Sequence, residues 1–312
     1  MTPTTDGPSP CGYHYVSEYL KCPRKFYLRN TLGLTPIKTR VPLVFGHAWH
    51  TGLEHLLTKG DLQAAIYKAR TELILKAQTI DKPEDVPMLL DRLDRGLPVW
   101  WTQFRANYLD KGWTVQSVEE TRMVPIADDL TFSVRFDGTI TDPEGRWYIL
   151  EHKTTGWSTD KTVQSVELGD QVTGYYLAFD TTVPERPETS PDQPQPLPGC
   201  FGGPVCSGVL LDITEFKASG INPSWWIITR TVEDQLNFEL GLVGTFNELA
   251  QKTSALDKGF PPFELFPRSA EFCAVFGCEY ENICRKRLEQ ASLPPTEDFV
   301  IRASDTLEDP ET

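Results

Sequence analysis

No run of eighteen apolar residues occurs in the 312-residue chain, which excludes a single apolar helix spanning a bilayer. The first ten residues lack the basic-then-apolar order of a secretory signal, so a soluble, intracellular protein is expected. No internal repeat is found, which argues against a solenoid. Positive charge is also short: 30 Lys and Arg face 44 Asp and Glu, for a net charge of −14. A nucleic-acid binder usually shows a basic face, so this balance speaks against a polyanionic partner at first sight. Much of the excess is local. The segment 294–312 carries net −5 and the segment 180–207 net −3, so −6 of the −14 remains for the rest, and a site for divalent metal must itself be acidic. Seven cysteines are an odd number for a disulfide framework; in a reducing compartment, clustered cysteines point to metal or iron–sulfur binding.

What is present suffices for a large core, since 39% of the residues are hydrophobic. Apolar residues recur at helical spacing over 13–34, broken by Pro23. Over 43–58, Trp49, Leu53, Leu56 and Leu57 form one stripe while His47, His50 and Glu54 share the opposite one. Further helices are expected over 61–79 and 87–110. The period then changes, and strands are predicted over 114–126, 130–141, 146–154, 208–216 and 225–230, with helices over 165–180 and 232–256. Residues 182–204 are proline-rich and aperiodic, the signature of a long loop or disordered insertion. The pattern predicts a mixed α/β core.

Asp142-Pro143-Glu144-Gly145 has proline where a type I turn needs its fixed φ and glycine where the next residue must turn left-handed. A hairpin closed there pairs Asp142 with Arg146 and sets Asp137 opposite Glu151. Alternation then puts Arg135, Asp137, Glu151 and Lys153 on one face, and Val134, Phe136, Ile140, Tyr148 and Leu150 on a core face. Two carboxylates and an ammonium side by side suit phosphodiester hydrolysis: the acids hold Mg²⁺ or Mn²⁺, and Lys153 orients water and balances charge. By itself the hairpin equally describes a solvated face on which Lys153 and Arg135 relieve an acidic pair.

Asp137 followed by Glu151-His152-Lys153 resembles the central motif of the PD-(D/E)XK nuclease superfamily, specifically its RecB-like branch, which includes AddB-type and CRISPR-associated adaptation nucleases and many phage exonucleases. Phe45-Gly46-His47-Ala48-Trp49-His50 is similar to the helix presenting a metal-binding histidine, with His50 the better match. Gln171-Val172-Thr173-Gly174-Tyr175 looks like the family's QxxxY motif, and the segment from Tyr19 to Leu28 like the one supplying a first cluster cysteine. Phe136 stands where the motif has proline.

The resemblance implies a restriction-endonuclease-like core, a central mixed sheet flanked by helices, with an N-terminal helical part and a C-terminal cysteine-rich lobe. The boundaries expected are 1–112 for the helical part, 113–258 for the nuclease core with its insertion at about 182–207, 259–290 for the lobe and 291–312 for a flexible acidic tail. It implies a Mg²⁺- or Mn²⁺-dependent nuclease, an exonuclease on linear or single-stranded DNA ends in repair, recombination or phage DNA metabolism, with a helicase or recombination partner. His50, Asp137 and Glu151 would hold the metal; Lys153, Gln171 and Tyr175 would complete the site. Cys22, Cys273, Cys278 and Cys284 would hold a 4Fe–4S cluster. Structural Zn²⁺ is the alternative, as are free cysteines in an aromatic-rich segment. Lys21, Arg24 and Lys25 beside Tyr19 and Tyr27 suit phosphate holding and base stacking, or simply a solvated helix end. The competing function is a catalytically idle member of the fold that serves DNA binding or assembly.

Overall fold

A computed structural model describes residues 12–127, 130–182, 205–276, 278–285 and 299–301. In chain order the elements are α1 (Tyr13–Lys21), α2 (Pro23–Phe26) continuing into a wide helical turn (Tyr27–Thr31), β1 (Leu34–Pro36), α3 (Val41–Lys59), α4 (Leu62–Lys76), α5 (Val86–Asn107), β2 (Thr114–Ala127), β3 (Leu130–Thr141), β4 (Trp147–Thr155), α6 (Thr159–Glu167), α7 (Asp170–Thr182), β5 (Cys206–Lys217), β6 (Gly220–Ile228), α8 (Val232–Asp257), α9 (Pro262–Leu265), α10 (Ala270–Phe276), α11 (Glu281–Arg285) and β7 (Phe299–Ile301). They form two compact units, one of residues 40–241 and one of 1–39 with 242–312. No helix among the described residues is long and apolar enough to cross a membrane.

The first unit is built on a five-stranded sheet in the order β2-β3-β4-β5-β6. Only β4 and β5 pair in parallel. A parallel pair needs a crossover, and α6 and α7 lie within it; of the predicted insertion, residues 183–204 lie outside the described residues, while Thr182 ends α7 and Cys206 and Ser207 begin β5. Central strands covered on both faces read as near-continuous apolar runs, and Ile149, Leu150, Val209, Leu210, Leu211 and Ile213 are all buried. On one face Ile140, Tyr148, Leu150, Leu210 and Phe216 join Trp49, Leu53, Leu97 and Trp100 of α3 and α5 in the main core. On the other, Phe136 meets Tyr175 of α7 at 5.4 Å between ring centres, and Phe132 meets Phe238 of α8 at 5.7 Å.

The predicted hairpin register is found. Thr141 pairs with Trp147, Ile140 with Tyr148 and Gly138 with Leu150, closed by Gly145 at φ +80° and by Asp142, whose carboxylate accepts from the amides of Glu144 and Arg146. The assignment of faces is corrected. Phe136 packs toward α7 while Ile140 packs toward α3 and α5, so simple alternation does not carry across Asp137. At the same level Glu119 on β2 takes φ +53°, and the β2–β3 ladder passes from Val118–Gly138 to Glu120–Phe136 without pairing Glu119 to Asp137. A Cβ on Gly138 would come within 2.8 Å of the Ser117 carbonyl oxygen, so glycine is what lets β2 approach there.

Other boundaries differ for local reasons. The helix expected over 165–180 is two, because Ser158 caps an earlier start at the Lys161 amide and Gly169 ends the first piece. β6 begins at Gly220, through Pro223; proline is tolerated because β6 is an edge strand.

In the second unit, segment 259–290 does not stand apart as a cysteine-rich lobe. Tyr27, Leu28 and Leu34 share one apolar core with Leu249, Phe266, Tyr280, Ile283 and Phe299. Within the expected flexible tail, Phe299, Val300 and Ile301 pair with Pro36, Thr35 and Leu34, and Phe299 stacks on Tyr280 at 5.2 Å. Phe299 is buried there while Val300 stays exposed, so it is the burial of the Phe299 ring that favours this pairing over a solvated tail. The remainder of the tail lies outside the described residues.

Candidate metal centre

At Asp137 the strands part enough for its carboxylate to reach two neighbours. Oδ2 accepts the backbone N–H of His152 at 2.7 Å, and Oδ1 lies 3.3 Å from Nδ1 of His50. His50 arrives from α3, which buries Trp49 and Leu53 in the core and leaves the His50 ring half-exposed. His47 is exposed on the same helix. Burial alone would depress the His50 pKa, but the Asp137 carboxylate overrides it and raises the ring to about 9. Asp137 shows the reciprocal effect: burial favours its neutral form, yet His50 first, then His152 and Lys153, hold it well below the usual carboxylate range.

Glu119 completes this cluster. Ligating atoms of His50, Glu119 and Asp137 all lie within 4.8 Å of one another, the one such group among the described residues. Burial first, then the nearby Asp137, pushes the Glu119 carboxyl up against the opposing pull of Arg135, whose Nε donates to Glu119 at 2.6 Å. A non-glycine residue at positive φ is strained, and among the described residues Glu119 is the only one. Two carboxylates and an imidazole at this spacing fit a divalent ion of the Mg²⁺ or Mn²⁺ type, the imidazole favouring Mn²⁺.

The sequence does not single out Glu119, because the hairpin register sets Asp137 opposite Glu151 and fixes no partner on β2. A signal existed. Ala127 pairs with Leu130 across the β2–β3 connection, and that register carried unbroken would set Glu120 opposite Asp137. The irregularity between Pro125 and Ala127 puts Glu119 at that level instead.

Glu151 lies on the other flank. Its carboxylate is buried and fully engaged: Lys153 Nζ forms an ion pair with Oε1, Gln171 Nε2 donates to Oε1 at 3.2 Å, and the Tyr175 hydroxyl donates to Oε2 at 2.6 Å. Lys153 also donates to Gln171 Oε1 at 3.4 Å. Gln171 and Tyr175 reach Glu151 together because residues four apart share one face of α7. The two flanks feel each other: the charge of Glu151 acts on His50, and that of Asp137 on Tyr175. The structure therefore gathers His50, Asp137, Glu151, Lys153, Gln171 and Tyr175 into one neighbourhood and adds Glu119.

Of the basic N-terminal segment, Lys21 is exposed at the end of α1, as a solvated helix end would have it, while the other groups are used differently. Arg24 donates to the carbonyls of Phe263 and Phe266 and lies 3.7 Å over the Phe263 ring. Lys25 pairs with Glu18 and Glu279, and Tyr19 and Tyr27 are buried. These groups hold the second unit together, and the two rings have no face open to bases.

Among the cysteines, Cys22, Cys206, Cys273, Cys278 and Cys284 are free thiols; Cys11 and Cys200 lie outside the described residues. No three thiols come within metal-ligating distance of one another among the described residues. The Cys284 thiol is pushed up to about 11, by burial first and then by Cys278, Cys22 and Cys273 against the pull of Arg24.

A family profile described as the PD-(D/E)XK nuclease superfamily matches residues 13–285. A search of curated proteins found no match. Among solved structures, one described as "Crystal structure of SSO0001" is similar at 11% identity over 76% of this chain and 85% of that one, with a TM-score of 0.29.

Proposed function

This chain belongs to the PD-(D/E)XK nuclease superfamily, and from that premise we propose that it is a metal-dependent deoxyribonuclease acting on DNA ends. One observation carries the reading: the His50, Glu119 and Asp137 donor set stands beside a buried Glu151 that is ion-paired to Lys153. His50, Glu119 and Asp137 hold the ion, with Glu151 as a further carboxylate on its flank. When bound, the ion supplies Lewis-acid polarisation of a phosphoryl oxygen. Lys153 orients the attacking water and offsets negative charge at phosphorus. Gln171 and Tyr175 hold Glu151 in place by donating to both of its oxygens.

The test is purified protein with Mn²⁺ on linear and on circular DNA of the same sequence. Degradation of the linear form alone supports an exonuclease. Cleavage that persists undiminished in Asp137→Ala removes the assignment, and absence of cleavage with retained Mn²⁺ and DNA binding supports the idle, DNA-binding member of the fold instead.

A 4Fe–4S cluster on Cys22, Cys273, Cys278 and Cys284 belongs to the same proposal. Its support is the one-plus-three arrangement of the four cysteines along the chain, together with the influence of Cys278, Cys22 and Cys273 on the Cys284 thiol. Anaerobically purified protein with broad visible absorption and about four irons per chain is expected. Colourless, iron-free protein from the same preparation rules the cluster out.

A further inference from the structure

Directly behind the carboxylates lies a buried polar group that the proposed chemistry does not use. His152, between Glu151 and Lys153 on β4, is the register partner of Asp212 on the parallel strand β5. Its Nδ1 shares a 2.8 Å hydrogen bond with Asp212 Oδ2, and the indole N–H of Trp100 on α5 donates to the same oxygen. His152 is 2% exposed and Asp212 1%. The Trp100 ring stands edge-on to His152 at 5.6 Å, and the His50 ring does so at 6.0 Å. Neither Nε2 of His152 nor Oδ1 of Asp212 has a hydrogen-bond partner among the described residues.

Such a group is a poor way to stabilise a core. Removing an ionisable pair from water costs more than its attraction returns unless every remaining site is satisfied, and here two atoms are not. Apolar side chains of the same volume would serve the fold as well or better. What they would not do is hold the His152 backbone, whose N–H donates to Asp137 Oδ2 at 2.7 Å. That bond occupies one carboxylate oxygen and leaves the other directed to His50.

We propose that Asp212 and Trp100 are positioning residues for the metal centre: they anchor the His152 ring so that its backbone N–H orients Asp137 toward the ion. This rests on the nuclease reading above. The pattern is that of a ligand oriented by partners outside its own coordination sphere, whose loss typically weakens metal affinity about 10- to 100-fold. Here the orientation passes through a main-chain hydrogen bond, so the partner of the ligand is itself held by two buried side chains from β5 and α5.

The experiment measures Mn²⁺ affinity by calorimetry or by the free-ion spin-resonance signal, together with the unfolding midpoint of the metal-free protein. Asp212→Leu keeps the branching of the side chain, replaces its two oxygens with larger methyl groups and removes the buried charge. It leaves the His152 and Trp100 donors unpaired, so it is expected to lower the unfolding midpoint and, in the protein that remains folded, to weaken Mn²⁺ binding about 10- to 100-fold. Asp212→Asn keeps an acceptor for His152 and is expected to bind within a few-fold of the parent protein. A lowered midpoint with unchanged Mn²⁺ affinity in Asp212→Leu would show a purely structural role and overturn the proposal. If Asp212→Leu does not fold, Trp100→Phe, which removes only the indole donor and some ring area, decides: several-fold weaker Mn²⁺ binding supports the proposal and unchanged binding refutes it. Asp137→Ala separates the two levels. If the parent protein binds Mn²⁺ no better than Asp137→Ala, the metal centre itself is wrong; if it binds well and the Asp212 and Trp100 variants match it, only the positioning role is.

Discussion

The Tyr175 hydroxyl donates a 2.6 Å hydrogen bond to Oε2 of Glu151, a carboxylate buried beneath α7 whose other oxygen is taken by Lys153 and Gln171. Tyr175→Phe removes the donor without changing ring volume. A hydrogen bond to a charged group contributes roughly 1.5–3 kcal/mol, so chemical denaturation is expected to show a loss of about that size. A loss under about 0.5 kcal/mol would mean that the bond does not secure the carboxylate.

Lys153→Ala removes the ammonium beside Glu151. Loss of one preorganised charge-stabilising group lowers turnover by roughly 10²- to 10³-fold. Single-turnover cleavage of linear DNA with Mn²⁺ is the measurement. Near-parental rates would take Lys153 out of the chemistry.

Glu119 combines positive φ with an unfavourable neighbour in Asp137. Glu119→Gly relaxes both, and strain of this kind is worth about 1 kcal/mol or more. The variant is expected to gain about 1 kcal/mol in the metal-free protein and to lose Mn²⁺ affinity, the trade expected where a backbone is held strained for function. Lower stability with intact Mn²⁺ binding would contradict it.

The raised His50 pKa sets a pH dependence for the metal-free protein. A group lifted from 6.5 to about 9 on folding contributes stability fully below pH 6.5, and that contribution disappears as pH rises through about 9. An NMR titration of the imidazole should find this midpoint. In Asp137→Asn it should fall below the ordinary histidine value, because burial is then the dominant influence. Binding of a divalent ion to His50 must displace the proton, so Mn²⁺ affinity should rise and proton release should fall as pH climbs toward 9. A ring that titrates near 6.5 in both proteins would show that Asp137 and His50 are not paired.

Much of the site follows from local chemistry. Pro143 and Gly145 permit one turn, and that turn sets the β3–β4 register for four successive pairs. The four-residue spacing of Gln171 and Tyr175 brings both to one carboxylate because a helix has no other way to display them. His50 lies on the polar stripe of a helix whose other side is apolar, and the helix docks by that apolar side.

Tertiary structure alone decided the rest. Which glutamate of β2 faces Asp137 turned on a single irregularity near Pro125 and on the reversed φ of Glu119; a one-residue slip exchanges every facing side chain, and no local pattern marks where it occurs. Asp212 reaches His152 from sixty residues away because β4 and β5 run in parallel, and a parallel pair is joined by a crossover, so its register is free of any turn. The pairing of Phe299, Val300 and Ile301 with residues 34–36 was hidden for a similar reason: three apolar residues in an acidic tail become a strand only where a distant backbone edge lies within reach.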